Sequence, residues 1–168
     1  MTTAAPTIKL PRRLEADPRL PAIQAVLTRE LRLLWAGGTV YAPHVPLTTG
    51  LEQELRRALH FRHLERGLEH IEQVLGNEKR GLSAQLAKQG ATAARRVSRL
   101  LLVANDGAER FYRACESLML AHTDRLLCVV VESPSGELAQ NLFGEDRSIK
   151  ALLISDKEAV TETLLALI

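Results

Sequence analysis

Three short runs limit what this chain can become: LLLVAN at 100–105, LLCVVVE at 126–132 and IKALLIS at 149–155. Each is nearly continuous in Leu, Val and Ile, where a strand with one wet face would alternate apolar and polar. Such runs read as strands buried on both sides, as in a parallel or mixed sheet with helices on each face. Amphipathic stretches separate them, over Glu109 to Ala121 and about Glu137 to Phe143, and a last one runs from about Lys157 to Leu167. Strand, helix, strand, helix, strand, helix predicts an α/β fold, a three-layer α/β/α sandwich with a helical N-terminal extension. Aromatics are scarce (three Phe, two Tyr, one Trp), so aliphatic side chains must fill the core.

Upstream the pattern differs. Residues 1–19 form a basic arm in which Pro6, Pro11 and Pro18 interrupt any helix. From Pro21 to Trp35 the apolar positions Ile23, Val26, Leu27, Leu31 and Leu34 recur at helical spacing, and Gly37-Gly38 closes the pattern. Thr39 to Ala42 reads as a short edge strand, closed by Pro43 and Pro46. Two parts are expected: 1–47 as arm, helix and short strand, and 48–168 as an α/β domain with a long leading helix. That helix is expected over Leu51–Leu75, opened by a Thr49/Glu52 capping box and stopped by Gly76-Asn77. A weaker one follows over about Leu82–Val97. Positions 61, 64, 68, 71 and 75 approximate a heptad, which fits helix pairing and a homodimer through 51–75 as well as core packing.

Few residues point to catalysis. Asp106, Glu132 and Asp156 each follow an apolar run. If the three strands are parallel, these carboxylates share one sheet edge, where oxygen ligands suit magnesium. The simpler reading is that acidic residues cap the helices that follow. His60, His63 and His70 lie in the expected long helix without the three or four convergent ligands that zinc requires. Ser133 and Ser135 sit in ESPSGEL, which has no glycine-flanked elbow and reads as a helix start with one of them as its cap. Neither a Walker loop nor a G-x-G-x-x-G occurs. No catalytic residue, metal or cofactor is therefore expected. Cys115 and Cys128 read as buried, reduced thiols of a cytoplasmic protein, and no apolar run approaches the length of a membrane span.

Charge is more informative. Residues 1–105 hold sixteen Lys and Arg against nine Asp and Glu, and residues 106–168 hold six against eleven. Between Glu78 and Asp106 come Lys79, Arg80, Lys88, Arg95, Arg96 and Arg99, with no acidic residue among them. Arginine pairs bidentately with phosphate and lysine neutralises it, so these six are the expected nucleic-acid contacts. An ordinary solvated helix face is the alternative. Tyr41, Phe61 and Tyr112 could stack on bases or simply pack.

RLLLVANDG, LLCVVVESPSGELAQNLFG and SIKALLISDKEAVTETLLAL together resemble the ribosomal L-seven-Ae and L-thirty-e superfamily, over roughly residues 76–168. The resemblance implies an α/β/α sandwich that binds RNA, often at kink-turns. The superfamily that the chain resembles also includes the C-terminal domains of eukaryotic-type release factors and Pelota, where the fold contacts proteins. In that family a Gly-x-Asn-Glu element opens the helix before the first long strand. Gly76-Asn77-Glu78 has this composition but lies about ten residues upstream of the expected place. A second RNA loop precedes the last strand, and here it reads EDRS, with Glu145, Asp146 and Arg147. GGTVYAPHVPLTTGLEQELRRALHFRHLERGLE is similar in rhythm to the YlxR nucleic-acid-binding proteins, without their cysteines. The expectation is a non-catalytic RNA-binding protein of the translation or ribosome-associated type. The alternatives are a protein-interaction module and a magnesium-dependent enzyme.

Overall fold

The three apolar runs form neighbouring strands at the centre of a six-stranded sheet. The computed structural model describes residues 8–91 and 96–168. In chain order the elements are α1 (Arg12–Glu15), α2 (Leu20–Arg29), β1 (Leu31–Leu33), β2 (Tyr41–Pro46), α3 (Thr49–His60), β3 (Leu64–Arg66) and α4 (Leu68–Gln89). They continue with β4 (Arg99–Val103), α5 (Glu109–Ala121), β5 (Leu126–Glu132), α6 (Ser135–Phe143), β6 (Ala151–Ile154) and α7 (Lys157–Leu165). The sheet order is β1-β2-β5-β4-β6-β3. Strands β2, β5 and β4 are parallel, whereas β1, β6 and β3 each run antiparallel to the neighbour they join.

Side-chain alternation along β4 divides the core in two. Leu100 and Leu102 join Ile23, Leu27, Leu51, Leu55, Leu138 and Val160, so α2, α3, α6 and α7 cover that face. Leu101 and Val103 join Ile71, Leu75, Cys115 and Leu118 beneath α4 and α5 on the other. The chain is thus a three-layer α/β/α sandwich. Both thiols lie in the second layer, where burial pushes Cys115 up to about 12 and Cys128 well above the usual range. No helix among the described residues is long and apolar enough to cross a membrane.

The expected long helix over 51–75 is not one helix. Thr48, one residue before the expected capping box, caps α3 by accepting from Leu51 N at 3.2 Å. The helix ends at Phe61, and Arg62 takes a left-handed φ of 60°. Leu64–Arg66 then pairs with Ile154–Leu152 as an edge strand, and Gly67 at φ 89° turns the chain into α4. Helical periodicity runs through this break because no Gly or Pro marks it before Gly67. The hydrogen bonds of the β6 edge outweigh local propensity. Positions 61, 64 and 68 consequently lie on a turn, a strand and a new helix, and the proposed heptad seam does not exist as one face.

Gly76-Asn77 does not stop a helix either. Helix α4 continues through Gly76 and Gly81 to a left-handed Gly90, φ 62°. A helical Gly costs about 1 kcal/mol relative to Ala, less than the burial of Ile71 and Leu75 against the sheet returns. The helix expected to reach Trp35 ends at Arg29, because Leu31–Leu33 pairs with Pro43–Tyr41. Nor is β2 an edge strand, since it lies between β1 and β5. Its prolines are tolerated because the β5 ladder begins at His44, just after Pro43, while Pro46 lies beyond the end of β1. Residues on both sides of position 47 therefore share one sheet and one core.

Leu101 is fully buried in β4 and Leu120 is 59 % exposed on α5. In urea denaturation, Leu101→Ala should lose about 2–5 kcal/mol, whereas Leu120→Ala should stay within about 0.5 kcal/mol of the parent.

Candidate nucleic-acid interface

Strand direction gathers helix starts along one edge of the sheet. Strands β2, β3, β4 and β5 all end there, so α3, α4, α5 and α6 all begin there, with their positive dipole ends. Two of these starts are satisfied from within the chain. Thr48 caps α3, and Asp106 caps α6 from a neighbouring loop, accepting from Ser135 N at 3.0 Å and Ser135 Oγ at 2.9 Å. The other two, α4 at Gly67 and α5 at Ala108, have no side-chain cap. Between them and the loop 144–150 lies a cavity of about 500 Å³, whose lining includes Arg66, Gly67, Leu68, Phe111, Arg147 and Lys150. Arg66 pairs with Glu145 at 3.0 Å, and its guanidinium lies 4.8 Å from the Phe143 ring centroid. Backbone bonds tie the loop to the sheet: Ala104 N donates to Lys150 O at 2.9 Å, and Gly67 N to Ala151 O at 3.1 Å. Arg147 and Lys150 are exposed. Uncapped helix N-termini beside cations are the kind of arrangement that attracts anions.

The six cations expected from the sequence are distributed differently. Lys79 and Arg80 line an open groove of about 900 Å³ between α4 and α5, together with Glu69, Glu72 and His122. Lys79 Nζ donates to Ala121 O at 2.9 Å and Arg80 bonds Asn77. Lys88 is exposed in the last turn of α4. Arg96 pairs with Glu15 of α1. Arg99 turns inward, where Nε and Nη2 bond the Glu78 carboxylate at 3.0 and 3.2 Å, and Arg125 reaches the same carboxylate at 3.2 Å. Arg95 lies outside the described residues. Glu78, at the boundary of the basic stretch, thus engages a cation from inside it.

Arg66, Arg147 and Lys150 do not appear in that set of six. Arg66 is far in sequence from Arg147 and Lys150, and only the pairing of β3 with β6 brings it beside them. Of the aromatics, Tyr112 is a brace: its hydroxyl donates to Ala104 O at 2.6 Å and accepts from Gly107 N at 3.1 Å. Tyr41 and Phe61 are about half exposed.

The carboxylate edge does not form. Strand β6 runs antiparallel to β4, which puts Asp156 at the opposite edge from Asp106 and Glu132. There it caps α7, accepting from Ala159 N at 3.0 Å. The cap of α6 is Asp106 rather than Ser133 or Ser135. The histidines also separate, His70 pairing with Glu65 at 2.6 Å and His63 lying 3.9 Å from Asp156. Among the described residues, no group of three or more His, Cys, Asp or Glu is placed to hold a metal ion.

No family model and no curated protein matches this chain. Among solved structures, it is similar to a protein with unknown function from Bacillus halodurans C, at 13 % identity over 71 % of this chain and 96 % of that one, TM-score 0.49. It is also similar to the 15.5kD RNA binding protein of Giardia lamblia, at 13 % identity over 70 % and 81 % of the two chains, TM-score 0.44.

Two measurements probe the groove. Glu78→Ala leaves the mostly buried guanidiniums of Arg99 and Arg125 without their shared carboxylate, and should cost about 1–3 kcal/mol in urea denaturation. His122 is held below its ordinary pKa of 6.5 by burial, then by Lys79 and Arg125. The unfolded chain therefore takes up this proton first, and stability is lost as pH falls below about 6.5. The urea midpoint should drop between about pH 7 and about pH 5, and less so in His122→Gln.

Proposed function

We propose that this chain binds RNA without a catalytic step, in a translation or ribosome-associated role, and that it grips the phosphate backbone where α4 and α5 begin. The observation that carries this reading is the pair of uncapped helix starts opening on one cavity beside Arg66, Arg147 and Lys150. Two N-terminal dipoles and three cations attract consecutive phosphates. Of the nearby carboxylates, Glu145 is paired with Arg66, Glu109 in the first turn of α5 is paired with Arg113, and Glu69 in the first turn of α4 lines the α4–α5 groove instead. The sequence resemblance supports the same location. It implies RNA contacts at the helix opening before LLLVAND and at the loop before the last strand, and here these two elements adjoin. The opening reads Gly67-Leu68-Glu69-His70 rather than Gly-x-Asn-Glu, so kink-turn specificity is not carried over. Lys79 lies about 17 Å along α4 from this edge, at 1.5 Å per residue, and would extend the phosphate path into the groove.

Fluorescence anisotropy with a kink-turn RNA, a single-stranded RNA and a duplex DNA, each at several salt concentrations, tests the proposal. Three phosphate contacts predict a slope of log affinity against log salt of about −2 for a single strand. Arg147→Glu with Lys150→Glu should weaken RNA binding about tenfold or more. A greater loss from Lys79→Glu with Arg80→Glu would move the interface into the groove. Equal weak binding of all three nucleic acids that vanishes at physiological salt would refute RNA recognition.

A further inference from the structure

The face of the sheet that carries α4 and α5 is not fully covered. Helix α5 holds the β1–β2 hairpin near its turn, where Arg113 lies 4.6 Å from the Trp35 ring centroid and Glu116 accepts from Thr39 N and Val40 N at 3.0 and 3.1 Å. Toward the other end of the hairpin, a cleft of about 350 Å³ opens at the carboxyl ends of β2, β5 and β4. Strands β4 and β5 lead to helices on opposite faces of the sheet, and ligands in open α/β sheets collect in the crevice this creates.

The floor of the cleft is apolar, made by the buried side chains of Leu34 and Val130. Its rim is polar, and each group has a definite role. His44 Nδ1 lies 3.1 Å from Ala42 O, which makes Nδ1 the donor and leaves Nε2 as an acceptor. Burial, and after it Arg32, holds this imidazole below its ordinary pKa, so it is neutral at pH 7. Arg32 lies 2.6 Å from Glu30 and 3.8 Å from Glu132. Glu132, at the end of β5, and the exposed Asn105 complete the rim. Glu30 and Glu132 outnumber Arg32, which disfavours a bare phosphate inside. A flat, uncharged ligand with adjacent N–H donors for the carboxylate and an acceptor for the guanidinium or amide fits better.

Among nucleobases, guanine has that pattern. Its N1–H and 2-amino group are neighbouring donors, and O6 is an acceptor. Adenine and cytosine place a ring acceptor where the second donor is needed, and uracil flanks its single N–H with two carbonyls. At the lower end of the ligand-pocket range, the volume suits one base with its ribose. We propose that this cleft binds a guanine base, with Glu132 accepting from N1–H and the 2-amino group and Arg32 and Asn105 facing O6. The guanine comes either from a free nucleotide or from an unpaired residue of an RNA.

Calorimetric titration of the full chain with GMP, IMP and AMP tests this without any RNA, so its outcome is independent of the phosphate-binding reading. GMP should bind with a Kd of about 1 mM or tighter. IMP, lacking the 2-amino group, and AMP should bind about 5- to 150-fold more weakly. Glu132→Gln, an exposed position, should remove the preference for GMP while leaving the urea midpoint unchanged. Asn105→Ala should weaken GMP without altering its preference over IMP. An RNA with one unpaired guanine replaced by inosine assigns the source. Loss by the same factor as from GMP to IMP identifies RNA, and indifference identifies the free nucleotide. Equal binding of GMP and AMP, no heat with GMP, or an unaltered preference in Glu132→Gln would overturn the proposal.

Discussion

The rest of the structure depends on β4 being buried on both faces while pairing in opposite senses on its two sides. Leu100 and Leu102 feed one layer of the core, and Leu101 and Val103 the other. Its parallel partner β5 and antiparallel partner β6 decide which loops share an edge. Because β6 runs the other way, Asp156 and the start of α7 go to one edge, and the starts of α3, α4, α5 and α6 go to the other. A parallel β6 would have put Asp156 on the same edge as Asp106 and Glu132. The antiparallel one assembles helix dipoles beside cations.

At the end of β4, Asn105-Asp106-Gly107 is more than a turn between strand and helix. Asp106 satisfies the start of α6 through Ser135, and Tyr112 clamps both Ala104 and Gly107. A Cβ on Gly107 would come within 2.6 Å of Phe111 Cδ1, so any other residue there would have to displace the Phe111 ring. The clamped turn leaves Asn105 on the rim of one cleft and the start of α5 on the rim of another.

Charge shows how far composition can be read. The basic stretch from Lys79 to Arg99 is real in sequence, yet folding commits its members unequally. Glu78 engages Arg99 together with Arg125, and Glu15 engages Arg96, while Lys79 and Lys88 remain on the exposed side of α4. The cations at the uncapped helix starts come from β3 and from the loop before β6, segments too far apart for any window of sequence to combine.

By itself the sequence determined the three central strands, the three helices that follow them, the layered architecture and an acidic cap on α7. Each rests on a local pattern: doubly buried strands lack alternation, amphipathic helices repeat at 3.6 residues, and a cap lies next to its helix. Only the tertiary structure decided the direction of β6, the strands β1 and β3, and the division of the expected 51–75 helix. A strand presents the same side chains to both faces whichever way it runs, so burial periodicity carries no direction. Three-residue strands such as Leu31–Leu33 and Leu64–Arg66 are too short to show a period, and form because a neighbouring edge offers hydrogen bonds. Both candidate sites lie along the edge those non-local pairings create, and this is why local sequence pattern alone did not reveal them.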